Sequence, residues 1–96
     1  MSSPQFLFTL YVASIDAQTE LQICKLRFAL AEKFKDVSWE LELVEVLDAP
    51  EKAVANDIFA TPTLVREKPK PVVKVLDGLT NIPETLLAVA RLPASP

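Results

Sequence analysis

The chain has 96 residues, half of them hydrophobic and 24% charged, with 10 basic against 13 acidic side chains and a net charge of −3. That length supports one domain around one modest core, and that charge balance lacks the positive field on which nucleic-acid binding depends. With no histidine, one cysteine (Cys24) and one glycine (Gly78), the chain cannot build His-based catalysis, an internal disulfide, a CxxC redox pair, a phosphate-cradling P-loop or a dinucleotide fingerprint.

A binding module is therefore expected, not an enzyme: catalytic residues none, cofactors none, metal ligands none. The longest apolar runs, such as Leu10-Tyr11-Val12-Ala13, are far short of the roughly 20 residues a spanning helix needs, so no membrane segment is expected. Met1-Ser2-Ser3-Pro4-Gln5 carries no basic region, so no secretory signal is expected, and a lone reduced thiol fits a cytoplasmic setting. The acidity is uneven, with 4 basic and 8 acidic side chains in residues 1–48 against 6 and 5 in residues 49–96. One domain over residues 1–96 is expected, ordered over about 5–91, with a frayed tail at 93–96.

Gln5 to Ala13 reads as a strand inside a sheet covered on both sides. Phe6, Phe8, Leu10 and Val12 share one face, Leu7, Thr9 and Tyr11 the other, and both faces are mostly apolar. A helix follows to about Phe34. Thr19 with Gln22 has capping-box spacing, and Asp16 is a competing cap. Leu21, Cys24, Phe28 and Ala31 recur at helical spacing beside a ridge of Ile23, Leu26, Leu30 and Phe34, which predicts a broad buried stripe with Cys24 as a small core residue.

Val37 to Leu47 reads as a second strand. Trp39, Leu41 and Leu43 alternate with Glu40 and Glu42, giving one wet face at its start, and Val44, Val46 and Leu47 predict a more buried end. Asp48, Pro50 and Glu51 predict a short second helix, capped by Asp48, with Ala53, Val54 and Ile58 on its apolar face. Thr63 to Arg66 and Val72 to Leu76 predict two further strands joined by Glu67-Lys68-Pro69-Lys70-Pro71, and Asp77-Gly78 a turn. Asn81, Pro83 and Glu84 repeat the cap-x-Pro-Glu pattern and start a last helix to about Arg91, with Leu86, Leu87, Val89 and Ala90 apolar.

The order β-α-β-α-β-β-α predicts an α/β fold of thioredoxin-like type: a four-stranded mixed sheet flanked by three helices. Two β-α-β steps imply parallel neighbours, and the closing pair an antiparallel hairpin. In thioredoxin-like domains a cis proline opens the third strand in the form x-Pro-Thr/Ser. Ala60-Thr61-Pro62-Thr63-Leu64 matches, so Thr61–Pro62 is the single cis candidate. The stretch where thioredoxins keep their redox centre, Ser14-Ile15-Asp16-Ala17-Gln18, has no thiol.

The whole chain resembles the KaiB family of bacterial circadian clock proteins. The matching pieces are Leu10-Tyr11-Val12-Ala13, Val44-Glu45-Val46-Leu47 followed by Pro50, Ile58-Phe59-Ala60-Thr61-Pro62-Thr63-Leu64, Lys68-Pro69-Lys70-Pro71-Val72 and Leu76-Asp77-Gly78-Leu79-Thr80. The resemblance implies a non-enzymatic adaptor that binds the KaiC ATPase ring, sequesters KaiA, and competes with a histidine kinase whose sensor domain is also thioredoxin-like. It also implies metamorphosis, with an alternative KaiB ground-state fold that rearranges the second half of the chain and assembles into tetramers. Helix starts at Asp48–Glu51 and Asn81–Glu84, and the Leu- and Ala-rich run Thr85 to Arg91, favour the thioredoxin-like state as a monomer; Pro83 disfavours a strand there. Asp77, Gly78 and Pro83 mark the segment relevant to such a switch.

Departures from the family pattern point to a divergent paralogue. The usual Gly-Asp-Leu-Ser is Asp77-Gly78-Leu79-Thr80, a family Gly is Ser14, an often basic position falls on Glu20, Leu21 or Gln22, and a family Lys becomes Glu42. Two partner surfaces are expected: the second strand with Glu40 and Glu42, and the exposed face of the first helix with Glu20, Lys25 and Arg27. Tyr11 is a further candidate, either as a surface aromatic or as a buried ring with its hydroxyl at the rim. The rival reading is an interaction or kinase-docking module of the same fold with a partner outside any clock.

Overall fold

Apolar side chains on both faces commit the first strand to the centre of a sheet. In a computed structural model, which describes residues 4–91, this strand is β1 (Phe6–Val12). It is followed by α1 (Ala17–Lys33), β2 (Trp39–Glu45), α2 (Pro50–Ala55), β3 (Thr63–Lys68), β4 (Val73–Leu76) and α3 (Ile82–Ala90). The strands lie in the order β2-β1-β3-β4, so β1 is internal and β2 and β4 are edges. The arrangement is the thioredoxin-like one expected. The tail at 93–96 lies outside the described residues, among which no helix is long and apolar enough to cross a membrane.

The strand directions correct one expectation. β1 and β2 are parallel, but β3 runs antiparallel to β1 and β4 antiparallel to β3. Only the first β-α-β step gives parallel neighbours. The six residues of α2 advance about 9 Å at roughly 1.5 Å each, whereas the seven of β2 cover about 23 Å. The helix retraces less than half of β2, and β3 begins where β2 ends: Tyr11 of β1 pairs with Val44 on one side and Thr63 on the other.

One core lies between the sheet and α1 with α3. Phe8, Leu10, Leu26, Leu30, Leu64 and Val89 are fully enclosed there, and the rings of Phe6, Phe8 and Phe34 meet at centroid distances of 4.5–6.0 Å. A smaller cluster on the opposite face joins Tyr11, Val44 and Val65, with Val46, Ala49 and Ile58 packed on it. The predicted broad stripe of α1 is half as wide as expected. Ile23, Leu26, Leu30 and Phe34 are buried, while Leu21, Cys24, Phe28 and Ala31 face out. Cys24 is a surface residue, not a core one. A single sheet face carrying Phe6 and Phe8 accommodates one ridge of the helix, and the second is left over.

Smaller corrections follow from the same packing. β2 stops at Glu45, a turn follows, and Leu47 is exposed. α2 ends at Ala55, not near Ile58; its cap position is Ala49, with no side-chain hydrogen bond from Asp48, and only Ala53 of its apolar residues is buried, Val54 lying exposed. The Thr61–Pro62 bond is cis, and so, beyond the single candidate, are Lys68–Pro69 and Lys70–Pro71.

Asp16, not Thr19, caps α1: its carboxylate accepts from the Thr19 amide at 2.8 Å. That hydrogen bond holds the Asp16 carboxyl below its ordinary value of 3.8. A depressed carboxylate pKa stabilises the fold above the unfolded value and loses that contribution as pH falls through the folded one. Asp16→Ala is therefore expected to lower the melting temperature at neutral pH, with the gap to the parent closing towards about pH 2. Thermal melts of both proteins at the two pH values check this; a gap that persists in acid refutes the charged cap.

Candidate interaction surface

The outward face of α1 follows from the ridge the core leaves over. Leu21, Lys25 and Phe28 lie at i, i+4, i+7, one helical row, and Glu20, Cys24 and Arg27 form the row beside it. All six are exposed; Leu21 is 57% and Phe28 71% accessible. The structure thus brings the predicted Glu20, Lys25 and Arg27 together, and sets them around two large apolar side chains that the sequence reading assigned to the core. An aromatic anchor with cationic neighbours is the composition from which protein–protein hot spots are made.

The second expected surface lies on the other layer. Glu40 and Glu42 are exposed on the edge strand β2, and they alternate with Trp39, Leu41 and Leu43, which pack towards α1. By the two-residue period of a strand they face away from α1. The candidates therefore form two separate surfaces, not one. On the β2 side Glu42 stands opposite Thr9, whose hydroxyl donates to Glu67 Oε2 at 2.9 Å. Tyr11, two residues along, is buried, which settles its two readings in favour of the enclosed ring. Desolvation first, then the charges of Glu67 and Glu42, raise its hydroxyl above the ordinary value.

Glu67 is a member of this acidic face that sequence reasoning missed by assigning it to a turn. β3 runs two residues further than expected, to Lys68, and Glu67 falls two places after Val65 on the same side of the sheet. Lys74 shares that side through its pairing with Val65, but its amino group is bound to the Asn56 carbonyl at 2.8 Å. That bond leaves the ammonium charged, but the carboxylates of Glu40, Glu42 and Glu67 outnumber it and set the sign of this face.

At the end of β1, the place of a redox centre in thioredoxins, a recess of about 200 Å³ is lined by Ser14, Asp16, Thr61, Pro62 and neighbours, none of them a thiol. Cys24 lies two turns into α1 from the Asp16 cap and offers no resolving partner. No group of His, Cys, Asp and Glu able to hold a metal ion is found among the described residues.

The switch-relevant positions lie between β4 and α3. Asp77 takes a left-handed conformation, φ 57°, which short polar side chains tolerate, and its carboxylate accepts from the Thr80 hydroxyl at 2.6 Å. Gly78 is where space is short: a Cβ there would sit 3.0 Å from Leu64 Cβ. Its carbonyl accepts from the buried Thr85 hydroxyl at 3.1 Å. Asn81 caps α3 by accepting from the Glu84 amide, with Pro83 in the first turn where its missing N–H costs nothing.

Comparison with known proteins gives a consistent picture. Residues 9–91 match the KaiB domain family. The chain is 24% identical over 93 residues to circadian clock protein KaiB3 of Synechocystis sp., covering 97% of this chain and 90% of that protein. It is 31% identical over 87 residues to the circadian clock oscillator protein KaiB of Microcystis aeruginosa, covering 91% and 83%. Among solved structures, the N-terminal domain of Synechococcus elongatus SasA superposes with a TM-score of 0.69 at 19% identity, over 94% of this chain and 81% of that one.

Proposed function

Because this chain belongs to the KaiB family, as a divergent member, we propose that it is a non-enzymatic clock-type adaptor that docks on a KaiC-like ATPase through the outward face of α1. The observation that carries this reading is the pair Leu21 and Phe28, exposed between Lys25 and Arg27 on a helix whose other ridge is fully used by the core. Two large apolar groups held on a rigid helix contribute little to the isolated fold and much to a partner that covers them. The thioredoxin-like fold shared with the SasA domain supports one consequence, competition with a domain of the same shape for one ATPase surface; sequestration of KaiA rests on membership of the family.

A second reading has its own observation. Glu40, Glu42 and Glu67 make the sheet face acidic, and the family resemblance places a lysine where Glu42 stands. Charge of the opposite sign selects a different partner, because complementarity governs encounter and rejects mismatched surfaces. Under this reading the same scaffold serves as an interaction or kinase-docking module outside a clock.

Binding of the purified chain to the KaiC-like ATPase of its own host, read by interferometry, tests both. Phe28→Ala is expected to weaken the complex by about tenfold or more, the loss of one aromatic anchor. Glu42→Lys is expected to leave the affinity nearly unchanged under the first reading. Tighter binding on that reversal marks a chain that has drifted to another partner, and no binding by the parent chain overturns the adaptor proposal.

A further inference from the structure

A groove runs between the free edge strand β4 and α3. Its volume is about 860 Å³, and Val73, Val75, Leu76, Leu87 and Ala88 supply apolar side chains to its lining. That size and composition are those of small-molecule sites: largely apolar, with a few polar groups at defined places. β4 and α3 run in opposite senses, so the groove has two distinct ends. Arg66, Pro71 and Arg91 stand at one, where α3 finishes; Asp77, Asn81 and Glu84 stand at the other, where it starts.

Arg66 is the unusual group. It is fully enclosed. Its Nη1 donates to the carbonyls of Val89, at 2.9 Å, and Arg91, and its Nη2 to that of Pro71 at 2.9 Å. Its Nε–H has no acceptor among the described residues. Carbonyl oxygens satisfy donors but do not neutralise a charge, and desolvation moves the Arg66 pKa downward, with no carboxylate among the described residues paired to it. A buried positive charge without an anion is stabilised by one brought close in a low-dielectric setting. Exposed Arg91 adds a second cation at the same end, and the carboxylates at the far end orient any charged guest.

We propose that this groove binds a small amphiphile with one carboxylate head, its apolar body along Val73, Val75 and Leu87 and its head at the Arg66 and Arg91 end. A peptide strand is the less fitting occupant, because β4 is four residues long and Pro71, two residues before it, donates no backbone hydrogen bond.

Decanoate is the probe, titrated into the full chain and followed by backbone amide shifts, with decyltrimethylammonium as its cationic counterpart. Saturable shifts confined to β4 and α3 are expected, with the cationic probe at least about tenfold weaker. Leu87 is 64% exposed, so Leu87→Asp keeps the fold; it is expected to weaken decanoate about tenfold or more by removing apolar contact beside the tail. Arg91→Glu is expected to erase the preference between the two head groups. Absence of saturable binding, equal affinity for both probes in the parent chain, shifts centred on α1, or a Leu87→Asp protein that binds as the parent does would each overturn the assignment.

Discussion

Replacing Leu26 by alanine is expected to cost the fold about 3 kcal/mol, whereas replacing Phe28, two residues on and larger, is expected to change stability by no more than about 0.5 kcal/mol. Leu26 is wholly enclosed among Phe8, Leu30 and Leu64, so truncation removes transfer energy and leaves a void that close-packed neighbours cannot refill. Phe28 is 71% exposed and its ring is largely in water in both states. Urea unfolding of the two variants, read by far-UV circular dichroism, measures the difference in midpoint at constant slope. The effects together discriminate strongly, because a domain of this size has only about 5–15 kcal/mol in total. Equal costs would mean that both ridges of α1 are packed, and the docking face described above would not exist. If Phe28→Ala leaves stability intact yet weakens the partner complex, the residue's role is recognition.

α1 is also where the sequence was least able to decide. Its two apolar rows, Leu21-Cys24-Phe28-Ala31 and Ile23-Leu26-Leu30-Phe34, have nearly the same period and similar bulk, so periodicity alone makes them one stripe. Which row is buried depends on what already fills the sheet face, and Phe6 and Phe8 come from a segment nine or more residues away. β2 was legible because its alternation is strict: Trp39, Leu41 and Leu43 against Glu40 and Glu42 leave one assignment of faces. The element order was legible for the same reason. The direction of β3 was not, because the connection through α2 is long enough to serve a strand of either direction, and the pattern of β3 itself does not choose. Glu67 was lost when Lys68-Pro69-Lys70-Pro71 made the whole stretch look like a turn, although Val65 and Glu67 sit two apart, as neighbours on one side of a strand do. Arg66 left a similar trace. It stands two places after Leu64 and therefore on the inward side, where a charged residue is rare without a partner.

Arg66→Ala is the second large effect expected, a loss of about 3 kcal/mol concentrated at α3. The guanidinium ties three carbonyls from two parts of the chain: Val89 and Arg91 at the end of α3, and Pro71 ahead of β4. α3 has no basic residue in its own last turn, so Arg66 supplies from β3 the positive charge that a helix C-terminus favours. Alanine leaves those acceptors without donors and opens a void under the helix. Each lost charge-assisted bond is worth about 1.5–3 kcal/mol, and relief from burying an unneutralised cation offsets part of the sum. Arg66→Met separates these terms. It refills most of the volume without donors, so any cost that remains belongs to the unpaired carbonyls. Arg66→Lys keeps the charge but offers a point donor where a planar fork serves two directions, and it should recover less than half of the alanine loss. Hydrogen exchange locates the damage: amides of α3 and β4 should lose protection first, while those of β1 and α1, held by the Phe6–Phe8–Phe34 cluster, keep theirs. Uniform loss across the chain would show one cooperative unit with no separable C-terminal half. Selective loss would show that a single buried arginine fastens the segment from β4 to α3 onto the rest, in the half of the chain where the family's second fold is expected to differ.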